Sequence, residues 1–304
     1  MKHLLSLKDL TTEEIFNILE MAKKLKYELQ NDIEHKILKG KTLGMIFTKS
    51  STRTRVSFEV GMVQLGGYPL FLSSQDIQLG RGETIEDTAK VLSRYVDGIM
   101  IRTYKQSDVE DLAKYGTVPV INGLTDSFHP CQVLADLLTI YESKSKLDGL
   151  KLAYVGDGNN IAHSLLYGCS KVGMDISIAT PKGYECNDEI VKSAKEDAKL
   201  TGVNITITED PIEAVKDADV VYTDTWVSMG QEEEKQKRIE IFKPYQVNGE
   251  LFSMAKKDAI FLHCLPAYRG YEVTSEVIDG PQSLVFDEAE NRLHVQKAVM
   301  ALLL

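Results

Sequence analysis

Short apolar runs alternate with helical stretches along almost the whole chain, and this alternation restricts the fold more than any other feature. The runs fall at residues 42–47, 68–71, 97–101, 118–121, 151–155, 175–179, 203–207, 219–223 and 259–263. Several contain almost only apolar residues, as expected for strands buried on both faces. The helical patterns between them lie at 84–95, 130–143, 160–172 and 188–201. Repeated strand–helix–strand order predicts an α/β protein with parallel sheets and helices on both faces.

A polar segment near the middle of the chain is the best candidate for a domain boundary. The chain has 304 residues, and a typical domain has about 150. The segment SKSKLDGLK at 143–151 separates two halves that each carry strand–helix order. We therefore predict two doubly wound parallel-sheet domains, at residues 1–145 and 146–287. A final helix at 288–304 is expected to pack back on the first domain.

Net charge and cysteine usage exclude several classes of protein. Acidic and basic residues are mixed and give a net charge of −10, which is unfavourable for nucleic-acid binding. The sequence has no apolar run of about 18 residues, so we expect no membrane span, and we identify no signal peptide at the N-terminus. The four cysteines are far apart and form no C-x-x-C pair, at Cys131, Cys169, Cys186 and Cys264. This spacing indicates reduced thiols in a cytoplasmic protein rather than a disulfide framework or a zinc site.

Hydroxyl and guanidinium groups cluster where the first predicted strand is followed by a helix. The sequence SSTRTR at 50–55 follows the apolar run LGMIF and precedes the helical pattern VSFEVGMVQLG. A helix N-terminus presents unpaired N–H groups and a partial positive charge, so added hydroxyls and arginines make it suited to phosphate. The candidate residues are Ser51, Thr52, Arg53 and Thr54. The alternative is an ordinary helix cap with exposed arginines.

A second strand-to-helix turn partly resembles a dinucleotide-binding turn. Residues 151–166 read KLAYVGDGNNIAHSLL, with G-D-G after an apolar run. Ile161 stands where the third glycine of G-x-G-x-x-G is needed, and no acid ends the next strand, DISIAT, to bind a ribose. A nicotinamide-dependent oxidoreductase therefore stays only an alternative.

Three further segments place polar side chains at the ends of predicted strands or at helix starts. Arg102 ends the strand in MIRT, and Cys264 follows the strand in LHCLPAYRG. His129 and Gln132 lie at the helix entry FHPCQ. Ligands of open α/β sheets bind beyond the carboxyl ends of the strands, so we predict that these residues share a crevice. Taken singly, they could be a surface ion pair, a helix cap and a small buried apolar residue.

Six motifs in a fixed order resemble the aspartate/ornithine carbamoyltransferase family. They are S-T-R-T-R, M-I-R-T, H-P-C-Q, G-D-G-N-N, D-x-x-x-S-M-G and H-C-L-P, and the resemblance runs from residue 41 to residue 297. The last two motifs are typical of the members that use ornithine. The resemblance implies two α/β domains joined by helices, the first for carbamoyl phosphate and the second for the amino acid. It also implies a homotrimer or a multiple of trimers, with each active site near a subunit boundary.

The resemblance also implies which residues act. The catalytic residues would be Arg53, Arg102, His129 and Cys264. Carbamoyl phosphate would be bound by Ser51, Thr52, Arg53, Thr54, Gln78, Arg102, His129, Gln132, Cys264, Leu265 and Arg292. In this set Gln78, within QLGRGE, would come from the neighbouring subunit. Ornithine would be bound by Asn160, Asp224, Ser228 and Met229.

The implied reaction is transfer of a carbamoyl group from carbamoyl phosphate to the side-chain amine of L-ornithine, which yields L-citrulline and phosphate in arginine metabolism. The nucleophile belongs to the substrate, so we expect no covalent enzyme intermediate, no metal and no cofactor. Asp224, at the end of DVVYTD, suits an α-ammonium group, and the polar stretch TWVSMGQEEEKQKR is a candidate lid. Putrescine stays an alternative acceptor, aspartate is disfavoured because QLGRGE lacks a lysine, and the direction of the reaction stays open.

Overall fold

The chain divides into two compact units, each built around a parallel sheet. The computed structural model describes residues 1–228, 230 and 232–304. The first unit contains residues 1–135 and 290–304, and the second contains residues 136–289. No helix among these described residues is long and apolar enough to cross a membrane.

The first unit has a four-stranded sheet. Its strands are β1 (Thr42–Phe47), β2 (Tyr68–Ser73), β3 (Gly98–Arg102) and β4 (Val120–Leu124). The helices that begin in this part of the chain are α1 (Thr12–Gln30), α2 (Thr52–Gln64), α3 (Ile85–Leu92), α4 (Gln106–Tyr115) and α5 (Pro130–Lys144). All neighbouring strands are parallel, in the order β2-β1-β3-β4. Apolar side chains from the sheet and from α4 form a buried cluster that includes Ile46, Ile99, Ile101 and Leu112.

The second unit has a five-stranded sheet. Its strands are β5 (Lys151–Val155), β6 (Asp175–Ala179), β7 (Ile205–Thr208), β8 (Val220–Thr223) and β9 (Ile260–Leu262). The remaining helices are α6 (Asn160–Val172), α7 (Asp188–Thr201), α8 (Pro211–Val215), α9 (Lys235–Phe242), α10 (Gly249–Phe252), α11 (Ser275–Ile278) and α12 (Val285–Leu303). The strands are again parallel, in the order β7-β6-β5-β8-β9.

The predicted α/β class with two doubly wound parallel sheets is confirmed. The apolar runs at 42–47, 151–155 and 175–179 match β1, β5 and β6 residue for residue. The run at 118–121 is displaced from β4, because Val118 and Pro119 precede the strand. The apolar runs predicted these strands correctly because strands buried on both faces need apolar residues at nearly every position.

Each sheet has a point at which consecutive connections run to opposite sides. In the first sheet it lies between β1 and β3, where Phe47 is in register with Arg102. In the second it lies between β5 and β8, where Val155 is in register with Thr223. Such points open a crevice beyond the carboxyl ends of the strands, and ligands of doubly wound folds bind there.

Candidate active site

The cluster SSTRTR forms the start of α2, directly beyond the carboxyl end of β1. Ser51 is the N-cap of α2, and its Oγ accepts a hydrogen bond from the backbone N–H of Thr54 at 3.1 Å. The capping alternative is therefore correct for Ser51. The prediction of an exposed arginine is correct for Arg55, which pairs with Glu59 and stacks on Phe71. Arg53 is half-buried, so the segment combines a capped helix start with a less exposed guanidinium group.

The Thr54 hydroxyl connects two predicted site residues from distant parts of the chain. Its Oγ1 accepts from Nη1 of Arg102 at 3.4 Å and from Nη2 of Arg292 at 3.1 Å. Arg292 also donates through Nη1 to Oε1 of Gln132 at 2.7 Å. All four side chains are at most 8% exposed. The structure therefore brings Thr54, Arg102, Gln132 and Arg292 together in one buried group of the first unit.

His129 lies in the same strongly cationic environment. Burial lowers the pKa of its imidazole well below the ordinary value, and the charges of Arg292, Arg102 and Arg53 lower it further. Like charges disfavour a protonated ring, so His129 is neutral at physiological pH. The guanidinium groups around His129 attract an anion. The neutral imidazole can still donate one N–H to a carbonyl oxygen.

We predict that His129 makes folding stability depend on pH below about 6.5, the ordinary histidine pKa. As the pH falls through that value, the unfolded chain gains a proton that the folded His129 does not accept, so this residue lowers stability. The difference between wild type and His129→Asn should then change by up to about 1.4 kcal/mol per pH unit. Denaturant unfolding of both proteins at pH 5 and pH 8 measures it. Equal changes for the two proteins would contradict the prediction.

A cavity of about 560 Å³ lies next to the start of α2. It is lined by the loop that follows β1, by α2 and by the end of β2, and its polar lining includes Lys49, Ser51, Thr52 and Gln75. Lys49, which no sequence pattern indicated, is 7% exposed, contacts Asp126 at 2.9 Å and lies 4.6 Å from the ring centre of Tyr104. Its position two residues before the helix cap is the sequence feature that could have indicated a role in the site. Lys49 adds a buried cation to the lining of this cavity.

Gln78 does not belong to the buried group. It begins a short 3-10 helix after β2, and its side chain is exposed. Its implied role on a neighbouring subunit stays a prediction.

In the second unit, Asp224 is held on both carboxylate oxygens beyond the end of β8. Oδ2 accepts from Nδ2 of Asn159 at 2.8 Å, and Oδ1 accepts from the Thr225 N–H at 2.7 Å and from the Cys264 thiol at 3.1 Å. The carboxylate is 6% exposed. Three donors in fixed positions orient it as a rigid partner for a substrate cation.

The Cys264 thiol is a hydrogen-bond donor rather than a thiolate. Burial raises its pKa well above the ordinary value, and the nearby acids Asp224 and Glu288 raise it further. A thiolate is the nucleophilic form of cysteine, so this environment opposes a covalent role. The arrangement instead orients the Asp224 carboxylate.

The backbone after β9 is shaped by a buried histidine. Nδ1 of His263 accepts from the Leu265 N–H at 2.9 Å, and Nε2 lies 3.2 Å from Oε1 of Glu272. Leu265 has φ 54°, in the left-handed region that non-glycine residues rarely adopt. Asp224, His263 and Cys264 have potential metal-ligand atoms within 4.8 Å of one another. Both imidazole nitrogens already have protein partners, so we describe this group as a hydrogen-bonded cluster.

The G-D-G-N-N turn does not have the geometry of a dinucleotide site. Asn159 is the N-cap of α6, and its Oδ1 accepts from the N–H groups of Ile161 and Ala162, which a pyrophosphate would need. At Gly158 a Cβ atom would lie 2.3 Å from the backbone nitrogen of Cys186. Close packing therefore explains this glycine. Asn159, which no sequence motif indicated as a site residue, donates to Asp224.

The other predicted ornithine residues lie around this turn. Asn160 is the first residue of α6 and is half-buried, and Ser228 is half-buried in the segment that follows Asp224. Met229 lies outside the described residues.

Arg238 is a third residue that the sequence patterns did not reveal. From α9 it donates to the carbonyl oxygen of Trp226 and pairs with Asp157 of the G-D-G-N-N turn. Its guanidinium also stacks 4.7 Å from the ring centre of Tyr184. Burial raises the pKa of Asp157 to about 6, against the opposing effect of Arg238. This pair fixes the start of the segment that follows Asp224.

Two family models match the chain, one to each half. Residues 2–142 match the carbamoyl-P binding domain of aspartate/ornithine carbamoyltransferase, and residues 148–303 match its Asp/Orn binding domain. The chain therefore belongs to the aspartate/ornithine carbamoyltransferase family, which confirms the resemblance found in the six motifs.

Proteins named ornithine carbamoyltransferase are similar to the chain over nearly its whole length. The one from Caldicellulosiruptor saccharolyticus is 66% identical over 99% of this chain and 97% of its own. The one from Bacillus subtilis is 64% identical over 100% of this chain and 94% of its own. The solved structure of ornithine carbamoyltransferase from Pyrococcus furiosus has a TM-score of 0.97 and 59% identity, and the match covers 99% of this chain and 96% of that one.

Proposed function

We propose that this protein transfers the carbamoyl group of carbamoyl phosphate to the side-chain amine of L-ornithine, giving L-citrulline and phosphate. The observation that carries the proposal is the buried group in which Thr54 links Arg102 and Arg292. Relatives at 58–66% identity named ornithine carbamoyltransferase support the acceptor.

The first unit supplies the donors that carbamoyl phosphate requires. Negative charge develops on the carbonyl oxygen and on the departing phosphate as the amine attacks. We assign the carbonyl oxygen to Arg102, His129 and Gln132, and the phosphate to the start of α2 with Arg53. Arg292 would contact the substrate from α12. Removal of one such donor costs about 3–4 kcal/mol in an oxyanion hole.

The second unit supplies the groups that suit an amino acid. The fixed Asp224 carboxylate is a partner for the α-ammonium, and we place the α-carboxylate against the segment of Ser228 and Met229. Asn160 is assigned to the wall of this site. A δ-amine has a pKa of about 10 in water and must lose its proton before it attacks. The guanidinium charges that we assign to carbamoyl phosphate favour the neutral amine, and the leaving phosphate accepts the proton.

The first experiment is a competition between acceptors. Purified protein is given carbamoyl phosphate with equal concentrations of ornithine and putrescine, and both products are quantified. Citrulline in clear excess is the expected result, because only ornithine uses the α-carboxylate site. Excess carbamoylputrescine would keep the carbamoyl phosphate site but overturn the assignment of Ser228, and no product from either amine would overturn the proposed function.

Cys264→Ser should retain kcat/KM for ornithine within about tenfold, because a serine hydroxyl can replace the thiol as a donor to Asp224. Cys264→Ala should lose more, since Asp224 then lacks this donor. Steady-state kinetics with ornithine as the varied substrate distinguish the two. Loss of turnover in Cys264→Ser with normal ornithine binding would instead make the thiol a chemical participant.

We also propose a homotrimer or a multiple of trimers in the cytoplasm. The exposed position of Gln78 suits a residue that acts on a neighbouring subunit. Four free cysteines, three of them buried, suit a reducing compartment. Mixing of Gln78→Ala with an inactive Arg102 variant tests the shared site, because mixed oligomers should regain part of the activity.

A further inference from the structure

Two buried acids lie next to His263, the residue that follows β9. Asp136, on α5, and Glu288, on α12, are both fully buried, and their side chains are hydrogen-bonded to each other. Two carboxyl groups in such contact cannot both be ionised, so one proton must be retained between them.

Glu288 already accepts two hydrogen bonds from other parts of the second unit. Its Oε2 accepts from the backbone N–H of His263 at 2.8 Å, and its Oε1 accepts from the Tyr222 hydroxyl at 3.2 Å. These two donors favour the carboxylate form of Glu288, but burial and the adjacent Asp136 raise its pKa well above the ordinary value. The proton therefore belongs to the pair rather than to one residue.

The bond to His263 connects the acids to the candidate ornithine site. His263 immediately precedes Cys264, whose thiol donates to Asp224, and its ring accepts from the Leu265 N–H. A change in the position of the His263 backbone therefore moves the donor that orients Asp224.

We propose that Asp136 and Glu288 are positioning residues, a carboxyl pair that shares one proton and holds the strand end that carries Cys264. This inference rests on the proposed function, because the site it positions is the ornithine site. Burial and the adjacent Asp136 both raise the pKa of Glu288. The other titratable residues around the pair are Tyr222, His263, Cys264 and Cys169.

The amide Asp136→Asn mimics the protonated acid, because its N–H₂ group can donate to Glu288. It should keep kcat/KM for ornithine within about threefold, whereas Asp136→Ala should lose roughly 10- to 100-fold, as expected for an unpaired buried group. KM for carbamoyl phosphate should change by less than about threefold in both variants. Asp219→Asn is the matched control, since Asp219 is a buried carboxylate that accepts from the backbone N–H of Lys151 and from Nζ of Lys256. It should leave kcat/KM for ornithine unchanged.

Folding stability tests the shared proton independently of activity. Between pH 5 and pH 7 the folded wild type retains a proton that the unfolded chain has lost. As the pH rises through this range, the stability of the wild type therefore falls relative to that of Asp136→Asn. The ratio of their unfolding equilibrium constants should change about tenfold per pH unit.

The outcomes separate this inference from the proposed function. Wild type that forms no citrulline would overturn the proposed function, while the pH dependence of unfolding would still test the proton. Active wild type with equal losses in Asp136→Asn and Asp136→Ala, or with no loss in either, would overturn the positioning role. A ratio of unfolding constants that does not vary with pH would overturn the shared proton.

Discussion

Replacement of Arg102 by methionine is expected to lower kcat by roughly 100- to 1,000-fold, the range measured when one oxyanion donor is removed. Methionine keeps much of the length and the buried volume but removes the charge and every N–H donor. The loss should fall mainly on kcat, because the carbonyl oxygen gains its negative charge only in the transition state. Steady-state kinetics with both substrates varied give kcat and the two KM values.

The same substitution should raise the pKa of His129, because one of the three charges that lower it is removed. Titration of the ring protons by NMR measures this change. Arg269→Met is the matched control: Arg269 is an exposed arginine paired with Asp279 at 2.6 Å, and its loss should leave kcat unchanged. Retention of more than a tenth of wild-type kcat in Arg102→Met would contradict the assignment of Arg102 to the carbonyl oxygen.

Replacement of Asp224 by asparagine is expected to lower kcat/KM for ornithine by roughly 100- to 1,000-fold. Loss of one partner of a buried charge pair costs roughly 2–5 kcal/mol. The amide removes the negative charge opposite the α-ammonium. It also leaves an NH₂ group facing a donor, either Nδ2 of Asn159 or the N–H of Thr225, because each oxygen of Asp224 accepts a hydrogen bond and an amide has only one oxygen.

Carbamoyl phosphate binding provides the control for Asp224→Asn. Calorimetry should give a dissociation constant for carbamoyl phosphate within about twofold of wild type, because the Cys264 thiol is the one group assigned to that substrate to which Asp224 is hydrogen-bonded. Asp219→Asn again controls for the loss of a buried carboxylate. If Asp224→Asn weakened both substrates equally, the residue would support the fold rather than recognise ornithine.

The order of strands and helices could be predicted because its causes are local. A strand buried on both faces needs apolar residues throughout, as in β1 and β5, and the helix cap at Ser51 is satisfied within three residues. The candidate residues followed from the same logic, since Arg102 and Asp224 each stand at the carboxyl end of a strand in their own sheet, where doubly wound folds bind ligands.

The partners of these side chains could not be predicted in this way. Thr54 and Arg292 are separated by 238 positions in the chain, and no local pattern indicates that one hydroxyl accepts from two guanidinium groups. Arg238 resembles any charged residue of a solvated helix, yet it is 3% exposed and bound to Asp157.

The sequence by itself determined the α/β class, the strand positions, the family and the residues at the strand ends, because periodicity and short motifs record local requirements. Only the tertiary structure decided which groups share a proton, a hydroxyl or a carboxylate. The pairs Asp136–Glu288 and Asp224–Cys264 exist because parallel strands and their helices bring distant positions within hydrogen-bond distance. Burial then sets their protonation, and burial is a property of the whole fold.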